Sequence, residues 1–221
     1  MDFFEVATST PTVRRFLDRP IPEADLMKVL ETANMAPSGS NAQPWEFVVV
    51  RDIDARKKIQ SLYQEVWEPY KESAIIRGRT TLSPRAVKAI ATGDEFAATL
   101  AIVPVHLLVF LDRPKMRVER GSADDLFNFG ATYGSMFPAI ELLMLSARAL
   151  GIGSAMTTML SSREPETKAT FGVPELYQLI ALIPLGYPDG GFKRPYRKPV
   201  LPRIHHGHWD RAWPAPANSN L

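Results

Sequence analysis

The stretch APSGSNAQPW, residues 36–45, separates two patterns that predict different secondary structures. Before it, apolar residues recur at helical spacing from Leu26 to Ala33, which predicts an amphipathic helix. After it, Phe47-Val48-Val49-Val50 predicts a buried strand. The residues between them are mostly small or carry neutral hydrogen-bonding side chains. We therefore expect a loop that closely approaches a polar ligand.

The composition is typical of a globular domain. The chain has 221 residues, of which 45% are hydrophobic and 23% charged, and its net charge of +2 gives no indication of nucleic-acid binding. It has no cysteine, which excludes disulfides, thiolate catalysis and zinc-thiolate sites and agrees with a cytoplasmic location. Residues 139–160 are strongly apolar but include Glu141 and Arg148, so we expect a buried helix and a strand there, not a membrane span.

The remaining patterns predict a mixture of helices and strands without a repeat. Helices are predicted over residues 2–8, 22–33, 54–66, 83–100, 124–150 and 164–171, and strands over 45–51, 104–112, 152–158 and 176–185. Residues 68–81 are polar and predict an exposed excursion, and the tail after Pro188 predicts a segment that wraps another surface. This mixture predicts one α+β domain over residues 1–221 with a central sheet.

Three motifs have simple structural interpretations. Gly151-Ile152-Gly153 resembles part of a dinucleotide-binding fingerprint, but it follows a helix and opens a strand, so we expect a helix stop. His205, His206 and His208 lack a carboxylate at a supporting spacing, so we predict packing or solvation and no metal site. His106 lies in an apolar strand and is expected to be a core histidine.

Basic residues concentrate at Arg14-Arg15 and over residues 193–198. Each cluster alone is consistent with a solvated surface. Together with residues 36–45, they supply guanidinium groups for a phosphate, hydroxyls for a polyhydroxy chain and amides for a heteroaromatic ring.

Four segments carry a family resemblance. Residues 12–16 (TVRRF) followed by residues 36–45 resemble the N-terminal signature of the FMN-dependent nitroreductase family. Residues 147–153 are similar to the central helix of that family and its following turn. Gly186-Tyr187-Pro188 with Arg197-Lys198-Pro199 is similar to its C-terminal signature. The matches occur in the family's order and cover nearly the whole chain.

The resemblance implies a nitroreductase-like α/β sandwich. Its central sheet would be mainly antiparallel and flanked by helices, and the protein would be an intertwined homodimer with an FMN in each of the two subunit interfaces. The C-terminal extension, about residues 187–221, would wrap the partner subunit.

The resemblance also implies the residues that bind FMN. Thr12 would lie close to the phosphate, Arg14 near the pyrimidine edge and ribityl chain, and Arg197 at the phosphate. The loop of the other subunit would contribute Pro37, Ser38, Ser40 and Asn41. The strand end facing the ring near N5 would contribute Met156, Thr157 and Thr158, and the backbone N–H at Thr158 would donate to N5.

Two departures from the family pattern concern this site. Thr10-Pro11 stands where many relatives have a basic residue, and we expect Arg194 to supply the phosphate contact. Glu141-Leu142 stands where many relatives have a pair of amides; a buried glutamate needs a partner, and Arg148 is a candidate. Trp45 is expected to pack in the core and Gln43 to hold the loop shape.

The resemblance implies an oxidoreductase that passes hydride from NADPH or NADH through FMN to a small-molecule electron acceptor, such as a nitroaromatic, quinone or enone, by a ping-pong mechanism. A deiodinase-like or flavin-fragmenting activity, a non-catalytic flavin-binding or sensor protein, and a dimerisation module without flavin are alternatives. A lid over residues 68–83, with Trp67, Tyr70, Arg77 and Arg79, indicates an aromatic or anionic substrate, unless these residues form a solvated loop.

Overall fold

The computed structural model describes residues 1–77, 83–116 and 125–214. Its centre is a sheet of four strands: β1 (Trp45–Val50), β2 (Val105–Asp112), β3 (Gly153–Ser154) and β4 (Tyr177–Gly186). The spatial order is β1-β2-β4-β3, and every neighbouring pair is antiparallel. The predicted α+β class and the antiparallel sheet are confirmed.

Helices cover both faces of this sheet. They are α1 (Phe3–Thr8), α2 (Glu23–Ala33), α3 (Ile53–Arg77), α4 (Pro84–Thr99), α5 (Arg113–Met116), α6 (Asp125–Ala149) and α7 (Glu164–Phe171). The α4 helix begins where the sequence predicts, because the Ser83 hydroxyl accepts the backbone N–H of Ala86 at 3.2 Å. None of the described helices combines the length and apolar character needed to cross a membrane.

The central strand β2 is buried along its whole length. Leu107 and Val109 belong to the core formed with α2 and α6, whereas Leu108 and Phe110 belong to the core formed with α3 and α4. Because side chains alternate between the two faces of a strand and both faces are covered, this strand is almost continuously apolar in sequence.

The third strand is shorter than the predicted span of residues 152–158. Gly153 and Ser154 form its regular part, paired with Gly186 and Leu185. Thr157 still pairs with Leu182 in the same register, so the chain runs alongside β4 beyond the strand itself.

The α6 helix does not bury all of its apolar surface within the chain. Met136, Ile140 and Leu143 are fully buried against the sheet, but Leu142 and Leu145 are only partly buried. They line an apolar surface groove of about 440 Å³ between α1, α2 and α6. The helix ends at Ala149, and Gly151 after it has a φ of 76° in the left-handed region, as the predicted helix stop requires.

The prediction that Glu141 is buried and pairs with Arg148 is wrong for this chain. Glu141 lies on an exposed face of α6. The Arg148 guanidinium donates instead to the Ser9 carbonyl and hydroxyl oxygens, at 3.0 and 2.9 Å. The helical rotation that turns Ile140 toward the sheet turns the next residue away from it, which explains why Glu141 is exposed.

Residues 68–73 are mostly exposed, as predicted, but they are not an excursion from the helix, because α3 continues to Arg77. Residues 78–82 lie outside the described residues, as does Arg79 of the predicted lid. The helix is stabilised by α4: a Cβ on Gly93 would lie 2.2 Å from the Trp67 ring, so the missing side chain lets the two helices pack closely.

The histidines lie in two different environments, one in the core and one in the C-terminal tail. His106 is fully buried, its Nε2 lies 3.0 Å from the Leu100 carbonyl oxygen, and burial lowers the pKa of its imidazole to about 4. In the C-terminal tail, His205 stacks on Trp209, with ring centroids 4.5 Å apart. Within residues 1–77, 83–116 and 125–214, no group of histidine and acidic side chains is arranged to hold a metal ion.

Candidate functional site

The segment that follows α1 lies along the free edge of β3. The Val13 N–H donates to the Ser154 carbonyl oxygen at 2.8 Å, and the Leu17 N–H donates to the Tyr187 carbonyl oxygen at 2.9 Å. A Cβ on Gly153 would lie 2.8 Å from the Val13 side chain. The glycine at position 153 therefore allows the N-terminal segment to come this close to the strand.

This approach creates a cavity of about 520 Å³ between the N-terminal segment, β3, α3 and α4, hereafter the ring cavity. The N-terminal segment contributes Thr12 and Arg14, and the chain after β3 contributes Met156, Thr157 and Thr158. The structure thus brings together these two groups of predicted site residues, which are more than 140 positions apart in sequence.

One side of the ring cavity is aromatic. It consists of Tyr63, Trp67 and Tyr70 from α3 and Phe96 from α4. Burial raises the pKa of the Tyr63 hydroxyl, and a hydrogen bond with Thr157 and the nearby charge of Arg14 act in the opposite direction. Tyr63 therefore lines the cavity close to Thr157, in the predicted N5 region, a position that sequence analysis did not assign to it.

Hydrogen bonds hold Trp67 at the cavity. Its indole N–H donates to Asp94 Oδ1 at 2.7 Å, and Lys71 Nζ lies 3.1 Å from the same oxygen. The indole hydrogen bond, followed by that of Lys71, lowers the pKa of the Asp94 carboxyl. Trp67 is 8% exposed, so the alternative that it belongs to a solvated loop is wrong. Tyr70 is 52% exposed and lines the cavity mouth.

The α4 helix also contributes polar residues that sequence analysis missed. Lys88 and Thr92, one turn apart, face the N-terminal segment and line the ring cavity. Arg15 and Glu95 form an ion pair at 2.6 Å between the two elements. The spacing of Lys88, Thr92 and Glu95 at i, i+4 and i+7 is the signal that places them on one helix face.

A second cavity of about 450 Å³, hereafter the basic cavity, adjoins the ring cavity. The two share Thr12, Arg14, Lys88 and Thr92. The remaining lining of the basic cavity comes from the N-terminal segment and from the turn after β4, including Lys193.

The loop over residues 37–41 lies elsewhere in the chain. The Gly39 N–H donates to the Ser135 hydroxyl of α6 at 3.0 Å, and the Ser38 hydroxyl accepts the Gln43 N–H at 2.9 Å. Ser40 and Asn41 have positive φ angles of 53° and 52° and exposed side chains. Neither these residues nor Pro37 and Ser38 line the two cavities of the same chain.

The expected supporting roles around this loop agree with the structure. Trp45 is 5% exposed, and its indole N–H donates to Asn34 Oδ1 at 3.0 Å, so it packs in the core. The Gln43 side chain donates to the Asn41 carbonyl oxygen at 3.4 Å, which helps to hold the loop.

The two predicted phosphate-binding arginines lie on the exposed C-terminal segment. Arg194 and Arg197 are outside the lining of both cavities, and Arg197 Nη1 donates to the Tyr196 carbonyl oxygen at 3.0 Å. Their phosphate contacts stay predictions, as does the wrapping of a partner by this segment.

Comparisons with known proteins place this geometry in context. The model of the Nitroreductase family matches residues 7–187. The chain is 29% identical to the iodotyrosine deiodinase of Thermotoga neapolitana over 207 residues, which cover 91% of this chain and 97% of that protein. It is 28% identical to iodotyrosine deiodinase 1 of Rattus norvegicus, covering 86% of this chain and 63% of that protein.

Further similarities point to the same fold. The chain is 27% identical to an Archaeoglobus fulgidus protein with the provisional name NADH dehydrogenase/NAD(P)H nitroreductase, covering 90% of this chain and 93% of that protein. Among solved structures, it resembles oxidised iodotyrosine deiodinase bound to FMN and 3-iodo-L-tyrosine, with a TM-score of 0.70, 25% identity, and coverage of 90% of this chain and 97% of that chain.

Proposed function

The chain belongs to the nitroreductase family, and from this premise we propose that it is an FMN-dependent oxidoreductase, which transfers hydride from NADH or NADPH to a small organic acceptor such as a nitroaromatic, quinone or enone. One observation carries the proposal. The ring cavity gathers Thr12 and Arg14 with residues 156–158, the two segments that the family resemblance assigns to the flavin.

The residues of the ring cavity fit a flavin. Its volume of about 520 Å³ is within the range of cofactor sites. Aromatic side chains suit a planar heteroaromatic ring, the Arg14 guanidinium suits an electron-rich ring edge, and the threonine hydroxyls suit a polyhydroxy chain. When bound, FMN would supply the two-electron hydride chemistry that no protein side chain provides.

The side chains of the ring cavity would then bind, orient and polarise the flavin. Arg14 would stabilise negative charge at the pyrimidine edge through a preorganised interaction. The Thr157 N–H is already donated to the Leu182 carbonyl oxygen at 3.0 Å, which leaves Thr158 as the backbone donor toward N5. Tyr63, which lines the cavity close to Thr157, would orient that hydroxyl at the same edge of the cavity.

A visible absorption spectrum of the purified protein tests the proposal. We expect a flavin spectrum, either as purified or after FMN is added, that bleaches when NADPH or NADH is added without oxygen. Adding a nitroaromatic should then restore the oxidised spectrum. A flavin that stays oxidised with both donors would favour the sensor alternative, and failure to bind FMN would contradict the proposal.

The names of the relatives favour reductive dehalogenation as a second candidate, since iodotyrosine deiodinases are among them. An amino-acid substrate carries an ammonium group, which needs an acceptor when buried. The described lining of the ring cavity includes Arg14 and Lys88 but no carboxylate that could pair with this ammonium group. This favours electron acceptors other than an amino acid. Iodide release from 3-iodo-L-tyrosine under reducing conditions distinguishes the two candidates. Loss of the flavin spectrum during turnover would indicate flavin fragmentation instead.

A further inference from the structure

Resting on the proposed function, we infer that Lys88 and Lys193 form a subsite for a phosphate monoester in the basic cavity. The first observation is position. Lys88 lines both cavities, so a ligand in the ring cavity can extend toward it, and Lys193 lines the adjoining basic cavity. The ligand group at this place would be the phosphate end of a nucleotide-like molecule.

The second observation is charge. Among the described residues, the lining of the basic cavity includes Arg14, Arg15, Lys88 and Lys193, opposed by a single carboxylate, Asp189. A phosphate monoester carries a charge of about −1.5 to −2 at neutral pH, which matches this excess of cations.

Arg15 is the cation least available to a ligand. It is paired with Glu95 at 2.6 Å, and its pKa is raised by that hydrogen bond, by the charge of Glu95 and also by the charge of Asp189. Both acidic groups act on Arg15. The other cations, Lys88, Lys193 and Arg14, therefore stay available to an anion. No ion pair with a described carboxylate engages either lysine.

The third observation explains why the chain needs these lysines. Thr10 and Pro11 occupy the place where a basic residue was expected. The Thr10 hydroxyl is donated to the Val6 carbonyl oxygen at 2.7 Å, and Pro11, which lines the basic cavity, has neither charge nor backbone N–H. Cations from α4 and from the segment after β4 are therefore placed to make the contact that the N-terminal segment lacks and that the sequence assigned to Arg194, which lies outside this lining.

The turn after β4 allows the chain to follow the cavity. Gly190 and Gly191 line it with φ angles of 83° and 75°, a conformation that side chains with a Cβ rarely adopt. The turn is tied to the N-terminal segment, because the Asp189 N–H donates to the Arg15 carbonyl oxygen at 3.0 Å. Lys193 lies two residues after Gly191 of this anchored turn.

Two molecules of the proposed reaction carry a phosphate monoester: FMN at its ribityl end and NADPH at its 2′ position. In both molecules the group that the ammonium groups would hold is a dianionic phosphate. A matched ligand without that phosphate exists for each, so binding measurements can tell the two apart. Riboflavin is FMN without its phosphate, and NADH is NADPH without its 2′-phosphate.

The test uses the full-length protein with Lys88→Gln and Lys193→Gln, and with Lys58→Gln as a control on an exposed part of α3. Dissociation constants for FMN and riboflavin are measured by fluorescence quenching, and kcat/KM is measured for NADPH and NADH. If the subsite holds the flavin phosphate, Lys88→Gln and Lys193→Gln each weaken FMN about tenfold and leave riboflavin unchanged. If it holds the 2′-phosphate, kcat/KM falls about tenfold for NADPH only.

Either selective loss supports the subsite and identifies its ligand. Unchanged values for all four ligands, with FMN still bound and reduced, would overturn the subsite and leave the proposed function intact. An equal loss for riboflavin and FMN, or for NADH and NADPH, would also overturn it, because the lysines would then act on the fold. Failure to bind either flavin would overturn the proposed function and the subsite together.

Discussion

The two halves of the proposed FMN site differ in how the chain supports them. The cavity half, around Arg14 and Thr157, is built on the side of the sheet covered by α3 and α4. The loop half, residues 37–41, is anchored on α6, whose buried residues pack against the other face of the sheet. The cavity half has walls of its own, whereas Ser40 and Asn41 present exposed side chains.

This difference supports the view that a single chain carries two half-sites. A loop with exposed, positive-φ residues becomes a binding element when another surface comes opposite to it. The apolar groove at Leu142 and Leu145 provides a surface for such an assembly, and we expect a homodimer in which the loop of each subunit reaches the cavity of the other.

The largest expected effect comes from separating the subunits. Leu145→Glu should place an unpaired charge in the proposed dimer interface, which costs about 3–5 kcal/mol and raises the dimer dissociation constant more than about 100-fold. Light scattering after size-exclusion chromatography should show a monomer with native helix content and little bound FMN.

The matched control is Ile53→Glu, which changes an exposed apolar residue at the start of α3 and outside the groove. We expect it to remain a dimer with bound FMN. A Leu145→Glu protein that is as dimeric as the control would contradict the assignment of the groove to the dimer interface.

The second prediction tests whether the half-sites come from different subunits. Arg14→Glu should disable the cavity half, and Asn41→Trp should block the loop half, each lowering activity about 100-fold. In an equimolar mixture refolded together, half of the dimers are mixed and each mixed dimer regains one intact site, so activity should return to about a quarter of wild type.

Each variant refolded alone is the control for this experiment. No recovery in the mixed sample, despite formation of mixed dimers by mass spectrometry, would show that both halves act within one chain.

The smallest expected effect concerns the close approach that forms the cavity half. Gly153→Ala would place a Cβ 2.8 Å from the Val13 side chain, a stiff β-branched neighbour. We expect a loss of about 1–3 kcal/mol in unfolding free energy and weaker FMN binding. Urea denaturation and FMN titration measure the two effects.

Gly134→Ala in α6 is the matched control, because a Cβ there meets nothing within 4 Å. Alanine is favoured over glycine inside a helix, so this variant should be at least as stable as wild type. Equal stability of both variants would show that the N-terminal segment does not require the glycine at position 153.

Sequence patterns predicted most elements because their causes are local. The apolar run of β2, the Ser83 cap of α4 and the Gly151 stop of α6 each depend on neighbouring residues. The helical continuation of α3 to Arg77 was missed because it depends on another helix. Lys71 and Trp67 share the Asp94 carboxylate, so polar residues that resemble an excursion are held in a helix.

The candidate site likewise contains residues that local sequence predicted and residues that only contacts between distant elements revealed. Arg14 and Thr157 were expected at the flavin because they lie in recognisable family segments, and the ring cavity brings them together. Tyr63 and Lys88 were missed, since each looks in sequence like an ordinary residue of an amphipathic helix. The exposed position of Glu141 depends on the rotation of α6 against the sheet, which an almost uniformly apolar helix does not reveal.

The sequence by itself determined the family, the α+β class and the segments proposed to carry the site, because short-range periodicity and ordered motifs encode them. Only the tertiary structure decided which residues share a cavity. It placed Lys88 and Lys193 beside Thr12 and separated residues 37–41 from Arg14. The physical reason is that a cavity is made by elements distant in sequence, whose relative positions depend on packing across both faces of the sheet.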